Sequence, residues 1–140
     1  MRGRKRKPKR GRRHKLTAPI WLTALAREEW DRVAHQLEAM GIAAPIDEVT
    51  VAAYCECFSR WRTAEEIIRV SSIEDPAKGL LGTTANGTSF QAAIVGIANA
   101  ARKDLLKFAA ELGLTPTSRA RFDAVPMDPS DTAANEYGLE

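Results

Sequence analysis

From Phe90 to Leu112 the apolar residues Phe90, Ile94, Ile97, Ala101, Leu105, Phe108 and Leu112 fall at intervals of 4, 3, 4, 4, 3 and 4. An α-helix repeats every 3.6 residues, so this spacing gathers all seven on one face, whereas a strand would scatter them to both sides. A second strip, Val95, Ala98, Leu106 and Ala109, widens the face. One helical neighbour does not cover a face that broad. The spacing therefore predicts a third helix from about Ser89 to Leu112, closed by Gly113. Its apolar excess must meet either another helix of the same chain or a second subunit.

Two earlier stretches show the same period. Thr23 can cap a first helix by accepting a backbone N–H of the first turn. Ala26, Trp30, Val33, Leu37 and Met40 then share a face, with Glu28, Glu29, Asp31, Arg32 and Glu38 expected largely elsewhere. Gly41 ends this helix by supplying a left-handed residue. A second helix is expected from Ile46 or Asp47 to about Val70. Val49, Ala53 and Cys57 form one apolar stripe on it, and Tyr54, Phe58 and Trp61 another, both read as core. Arg60, Arg62, Glu65, Glu66 and Arg69 are expected to face water.

Residues 71–89 read SSIEDPAKGLLGTTANGTS, whose glycines, proline and Asn-Gly are loop chemistry. Thr115-Pro116 opens a short fourth helix, since proline tolerates the first helical position. The fold class expected is all-α: three main helices, the second and third forming a long αα-hairpin, then a short fourth helix.

The ends of the chain differ from this middle. Residues 1–15, MRGRKRKPKRGRRHK, hold ten cations and no acid, while residues 16–140 hold eleven basic and eighteen acidic residues, a balance of −7. So little apolar surface does not offset the entropy of ordering the backbone, and a disordered basic arm is expected over 1–18. A helical domain over 19–122 and a flexible acidic tail over 123–140 follow. The arm's charge density calls for a polyanion. Nucleic acid fits better than a membrane surface, because no Trp, Phe or Leu is interleaved to enter a bilayer. Candidate DNA-binding residues are Arg2, Arg4, Lys5, Arg6, Lys7, Lys9, Arg10, Arg12, Arg13 and Lys15. Arg119 and Arg121 are either further contacts or a basic cap on a helix end. The helix-turn-helix alternative would place the second helix in the major groove, but its length and aromatic face suit a core role. Phe90, Ile94, Ile97, Ala101, Leu105 and Phe108 are the candidate oligomer interface. The acidic tail could contact a partner protein or screen the arm.

Catalytic patterns are missing. No apolar h-region follows the arm and no stretch approaches a transmembrane length. Cys55 and Cys57, two apart on a helix, point to different sides and do not pair. Without further Cys or His nearby they make no zinc site, so neither metal nor cofactor is expected. The histidines are His14 and His35 alone. Asp47-Glu48 and Glu65-Glu66 read as surface charges, and no phosphate-binding P-loop pattern occurs. Asn86-Gly87-Thr88 reads as a surface turn. The chain is expected to bind and assemble rather than catalyse.

Four strings, in order, resemble the family of phage terminase small subunits common in long-tailed phages and prophages. They are the opening MRGRKRKPKR; Leu22-Thr23 with Ala26-Arg27-Glu28-Glu29-Trp30 and Leu37-Glu38-Ala39-Met40-Gly41; Asp47 with Tyr54-Cys55-Glu56; and Ala110-Glu111-Leu112-Gly113-Leu114-Thr115-Pro116 with Ser118-Arg119-Ala120-Arg121. The stretch TAPIW is shorter than the family's proline-rich linker, and Ser89-Phe90-Gln91 stands where an Asn-Pro is usual. The resemblance implies a protein that binds double-stranded viral DNA and assembles into a homo-oligomeric ring. It also implies hand-over of the DNA to a separate terminase large subunit, which carries the ATPase and nuclease, in the cytoplasm of a bacterial host. The alternative is a stand-alone nucleic-acid-binding regulator or chromatin-like protein with the same arm.

Overall fold

Thr23 starts the first helix as expected: its Oγ1 accepts the backbone N–H of Ala26 at 3.4 Å. Helix α1 runs Ala24–Met40 and stops at Gly41, which takes φ 70 in the left-handed region. A computed structural model describes residues 14–121 of the chain, Arg121 by its backbone alone. The expectations for the rest of the arm and for the tail lie outside the described residues.

A single 3-10 turn, Pro45–Asp47, leads into α2, Glu48–Ser71. The end of α2 is tied down by the loop beyond it. There, a Cβ on Gly79 would lie 1.9 Å from Ser72 Oγ and 2.5 Å from the Ile68 carbonyl, so only glycine fits. The segment expected as loop also holds a small antiparallel hairpin. Strand β1, Leu81–Thr83, pairs with β2, Ser89–Gln91, with Gly82 opposite Phe90. The Phe90 ring lies so close over Gly82 that a Cβ there would sit 2.4 Å from it. This pairing corrects the expected start of the third helix. Phe90 is held extended in β2, and α3 begins only at Ala93, running to Glu111. Three-residue strands carry no alternation long enough to read in sequence.

Leu114 N–H closes the end of α3 on the Ala109 carbonyl at 2.8 Å, around Gly113 at φ 71. Helix α4, Pro116–Arg121, follows at once. Thr115 Oγ1 accepts the Ser118 N–H, and Ser118 Oγ accepts the Thr115 N–H, both at 3.1 Å. This reciprocal cap is the expected Thr-Pro start, with Ser118 as the partner.

The core forms where three helices meet: Ala26, Trp30, Val33 and Leu37 of α1; Val51, Ala52 and Cys55 of α2; Leu105 and Ala109 of α3, with Leu112 beyond its end. Helices α2 and α3 form an antiparallel hairpin, with Ala64 and Ile67 near Ile94 and Ile97 at the end that carries the β-strands. Cys55 lies toward Glu29 and Arg32 of α1, and Cys57 toward Asp104 of α3, so the two thiols do face different sides. Both are free and buried. The expected stripe containing Val49 needs correction: Val49 is 78% exposed, because it falls in the arc between the two packed faces. Val51, Ala52 and Cys55 take the core positions instead.

Helix α1 covers only the first half of α2. Thr23, at its start, donates its backbone N–H to Glu56 Oε1 at 2.9 Å and shares a 2.9 Å hydroxyl hydrogen bond with Ser59. The rest of α2 and the start of α3 continue as a two-helix projection carrying the β-hairpin at its tip.

Glu29 was expected on the polar side of α1, yet it is 5% exposed. Tyr54 OH donates to its Oε1 at 3.0 Å and Arg32 Nε to its Oε2 at 2.8 Å, with Arg32 Nη2 also on Oε1. A buried carboxylate is tolerable only when paired in this way. Burial, then the charge and hydrogen bond of Glu29, hold the Tyr54 phenol protonated well above its usual range. Burial, reinforced by Glu29, pushes the Cys55 thiol up to about 12 from an ordinary 9.0.

Tyr54→Phe should cost about 1.5–3 kcal/mol in urea unfolding at pH 7, the range for a hydrogen bond to a charged group. Stability should also depend on alkaline pH with a definite sign. The Cys55 thiol is raised in the folded chain, so its contribution is complete below about pH 9 and lost as pH climbs toward 12. Urea midpoints measured from pH 8 to 11 should fall, and Cys55→Ala should flatten part of that slope whatever it costs at neutral pH.

Candidate nucleic-acid interface

The arm joins the body at a fixed point. His14 and Lys15 are exposed, and the next residue, Leu16, is 5% exposed within the core cluster. Leu16 N–H donates to Glu38 Oε1 at 2.7 Å, and Thr17 N–H to Glu48 Oε1 at 2.9 Å. Glu38 lies in the last turn of α1 and Glu48 opens α2. The packed body therefore reaches back to Leu16, into the stretch expected as arm. Sequence gave little warning, because an isolated leucine beside Thr17 and Pro19 carries no periodicity. Of the ten arm cations, Lys15 alone is described; Arg2, Arg4, Lys5, Arg6, Lys7, Lys9, Arg10, Arg12 and Arg13 lie outside the described residues.

Arg119 is exposed on α4, and its Nη1 donates to the Leu114 carbonyl at 3.1 Å. That single bond leaves most of a guanidinium's five donors available. Arg121 closes the same helix. Because α4 follows directly on the end of α3, and that end packs beside the start of α2, Lys15 and Arg119 belong to one end of the bundle. Helix α3 carries further exposed cations that the sequence reading did not single out. Arg102 bonds Asn99 Oδ1 at 3.3 Å, Lys107 lies 3.5 Å from Asp104, and Lys103 is also exposed. Side chains of this kind grip phosphate oxygens, which fixes position on a duplex without reading its sequence.

The six apolar residues set aside for self-association are divided by the fold. Ala101 and Leu105 are buried in the chain's own core, Leu105 to 8% exposure, and Phe108 packs partly against it. Ile94 is half-buried, while Phe90 on β2 and Ile97 on α3 are exposed, Ile97 to 45%. Ile97 and Ile94 line an open groove of about 290 Å³ with Ile67, Ala64, Ser59 and Thr23. Val70, Ile73, Leu80 and Leu81 continue the exposed apolar surface toward the hairpin tip. The sequence clue to Ile67 and Val70 was one of length: the second helical stretch outruns the first, so its far half lacks a third helix.

The aromatic and charged side chains along the outer face of α2 are engaged with one another. Trp61 Nε1 donates to Glu65 at 3.1 Å, and its ring meets Phe58 edge-on with centroids 6.4 Å apart. Arg69 pairs with Glu66 at 2.6 Å and holds that exposed carboxyl below its usual range. Among the described residues no group of three or more His, Cys, Asp or Glu is placed to hold a metal ion. No helix among them is long and apolar enough to cross a membrane.

The profile of a family described as "Phage terminase, small subunit" matches residues 26–129. No curated protein and no solved structure matches the chain. The matched span takes in nearly all of α1, the whole α2–α3 hairpin with its β-strands, and α4. Of the four strings that resemble this family, three fall on α1, on α2 and at the α3–α4 junction of that frame, while the opening MRGRKRKPKR precedes the matched span. On this match the chain belongs to the phage terminase small subunit family.

Proposed function

We propose that this chain binds viral DNA through its basic arm, assembles into a ring, and recruits or regulates a terminase large subunit during genome packaging. The observation that carries the reading is the segregation of charge. Ten cations precede residue 16, in a chain whose remainder is net acidic and whose helical frame matches the small-subunit family. In this reading the protein is not an enzyme, acts in the bacterial host cytoplasm, and leaves ATP hydrolysis and DNA cutting to the large subunit.

Each Lys or Arg seated on a phosphate releases a condensed counterion, giving a slope of about −0.9 per contact in log K against log salt. With roughly half of the arm engaged, the slope per protomer is about −4 to −5. Phosphate contacts alone do not distinguish one genome from another. A ring supplies discrimination by avidity, since several arms acting on one duplex reach high effective concentration. Arginines in a narrow minor groove add sensitivity to DNA shape.

Self-association falls to the exposed members of the candidate interface, Phe90 and Ile97, with half-buried Ile94 and exposed Ile67 beside them. These sit on the part of the α2–α3 hairpin that α1 does not cover. A ring requires a head-to-tail contact that closes on itself.

Removing residues 1–15 should weaken binding to duplex DNA at least ten-fold at about 0.1 M salt and flatten the salt dependence. Circular dichroism and assembly mass should stay unchanged. Ile97→Asp should reduce assembly mass in light scattering while the helical signal persists; unchanged mass would move the interface elsewhere. Leu105→Asp, by contrast, should unfold the chain, since it buries an unpaired charge. Added to the cognate large subunit, the full-length protein should alter its ATPase or nuclease rate, which a stand-alone regulator would not do.

A further inference from the structure

The turn that precedes α1 holds two large apolar side chains in water. The Pro19 carbonyl accepts the Leu22 N–H at 3.4 Å and Arg27 Nη2 at 2.9 Å, and Thr23 N–H bonds Glu56 Oε1 at 2.9 Å. Ala18 and buried Leu22 pack against the core on either side of the turn. Between these fastenings Ile20 is 95% exposed and Trp21 63%. Neither belongs to the core cluster, although burying such side chains is strongly favourable. The groove between α2 and α3 has the opposite shape. Ala64, Ile67, Ile94 and Ile97 line an open space of about 290 Å³, and neither Ile20 nor Trp21 of the same chain is among its lining residues.

We infer that the Ile20–Trp21 turn of one copy docks in the α2–α3 groove of the next. The inference rests on the self-association reading and names what fills the groove. A convex apolar turn and a concave apolar groove are dissimilar surfaces, as a head-to-tail contact requires. Tryptophan is among the residues that dominate protein contacts when seated in a pocket. Because its backbone is already fastened at Pro19, Leu22 and Thr23, the turn loses little freedom on docking, and less of the gain is offset by ordering. The areas also match. Ile20 and Trp21 together offer roughly 300 Å² of surface, since a large aromatic alone buries about 150–250 Å². Ile67 and Ile97 in the groove are each close to half exposed. That is enough for the apolar centre of a contact of about 800 Å² per partner, whose remainder is polar rim. Duplex DNA is a poor occupant: among the described residues lining the groove Arg60 is the one cation, and Glu56 offsets it.

The test sets two full-length variants beside the parent. Ile20→Ser with Trp21→Ser strips the turn, and Ile97→Asp spoils the groove. All three positions are exposed, so the circular dichroism of both variants should match the parent. Light scattering over a concentration series should place half-assembly of each variant at least ten-fold above that of the parent. Mixed in equal amounts, at a concentration where neither assembles alone, the two should form dimers. The turn variant keeps an intact groove and the groove variant an intact turn, so the mixture restores one contact and no more. Parental assembly by the turn variant, or a mixture that stays monomeric, overturns the inference. A turn variant that assembles normally but loses duplex affinity, or loses its effect on the large subunit, overturns it too and gives the turn to that partner. If the turn variant keeps parental mass while Ile97→Asp does not, the groove remains the self-association surface and this occupant alone is wrong. If the parent itself is monomeric, the self-association reading and this inference fail together.

Discussion

Helix α2 is packed on two sides at once, and the rest of the molecule is arranged around that constraint. Cys55 is buried toward α1, while Cys57 and Ala64 are buried toward α3. A helix with two packed faces keeps only narrow exposed arcs, which is why Val49 and Ile67 are left outside despite their hydrophobicity. The arrangement also explains the unequal helix lengths. Seventeen residues of α1 lie against twenty-four of α2, so one end of the α2–α3 pair has three-helix packing and the other has two. Apolar surface that water still touches on the two-helix end is available for association, whose driving force grows with the area removed from water.

The three-helix end has a different character. Glu29, Tyr54 and Arg32 place a charged network against the core, and Glu38 and Glu48 hold the backbone of the incoming arm. Carboxylates on α1 and α2 thus serve as fasteners for packing rather than as reactive groups. The acidic balance of the body has a structural side here. Part of it goes into hydrogen bonds that fix where a highly cationic segment joins the body.

In the proposed function the chain separates two tasks that conflict when combined. A surface rich enough in cations to hold DNA tightly would repel its own copies on assembly. Confining ten cations to a short leading segment lets the helical body carry apolar surface for self-association without that repulsion.

Much of this was legible from residue spacing. The Thr23 and Gly41 caps, the three helices, the Thr115-Pro116 start and the opposed directions of Cys55 and Cys57 follow from local rules of capping and period. Local rules failed where a residue's fate depends on something distant in sequence. Phe90 fits a helical period yet pairs with Gly82 across a hairpin. Glu29 sits among charged neighbours yet is drawn inside because Tyr54 and Arg32 meet it there. Leu105 and Ile97 share a stripe, yet the first is buried in the core and the second is left exposed. By itself the sequence determined the helical class, the helix ends and the separation of charge, since these depend on neighbours within a turn or on composition. Tertiary structure alone decided which apolar residues are covered and that Leu16 is fastened between the end of α1 and the start of α2. Burial and proximity are properties of what lies across the space between helices, and no local pattern encodes them.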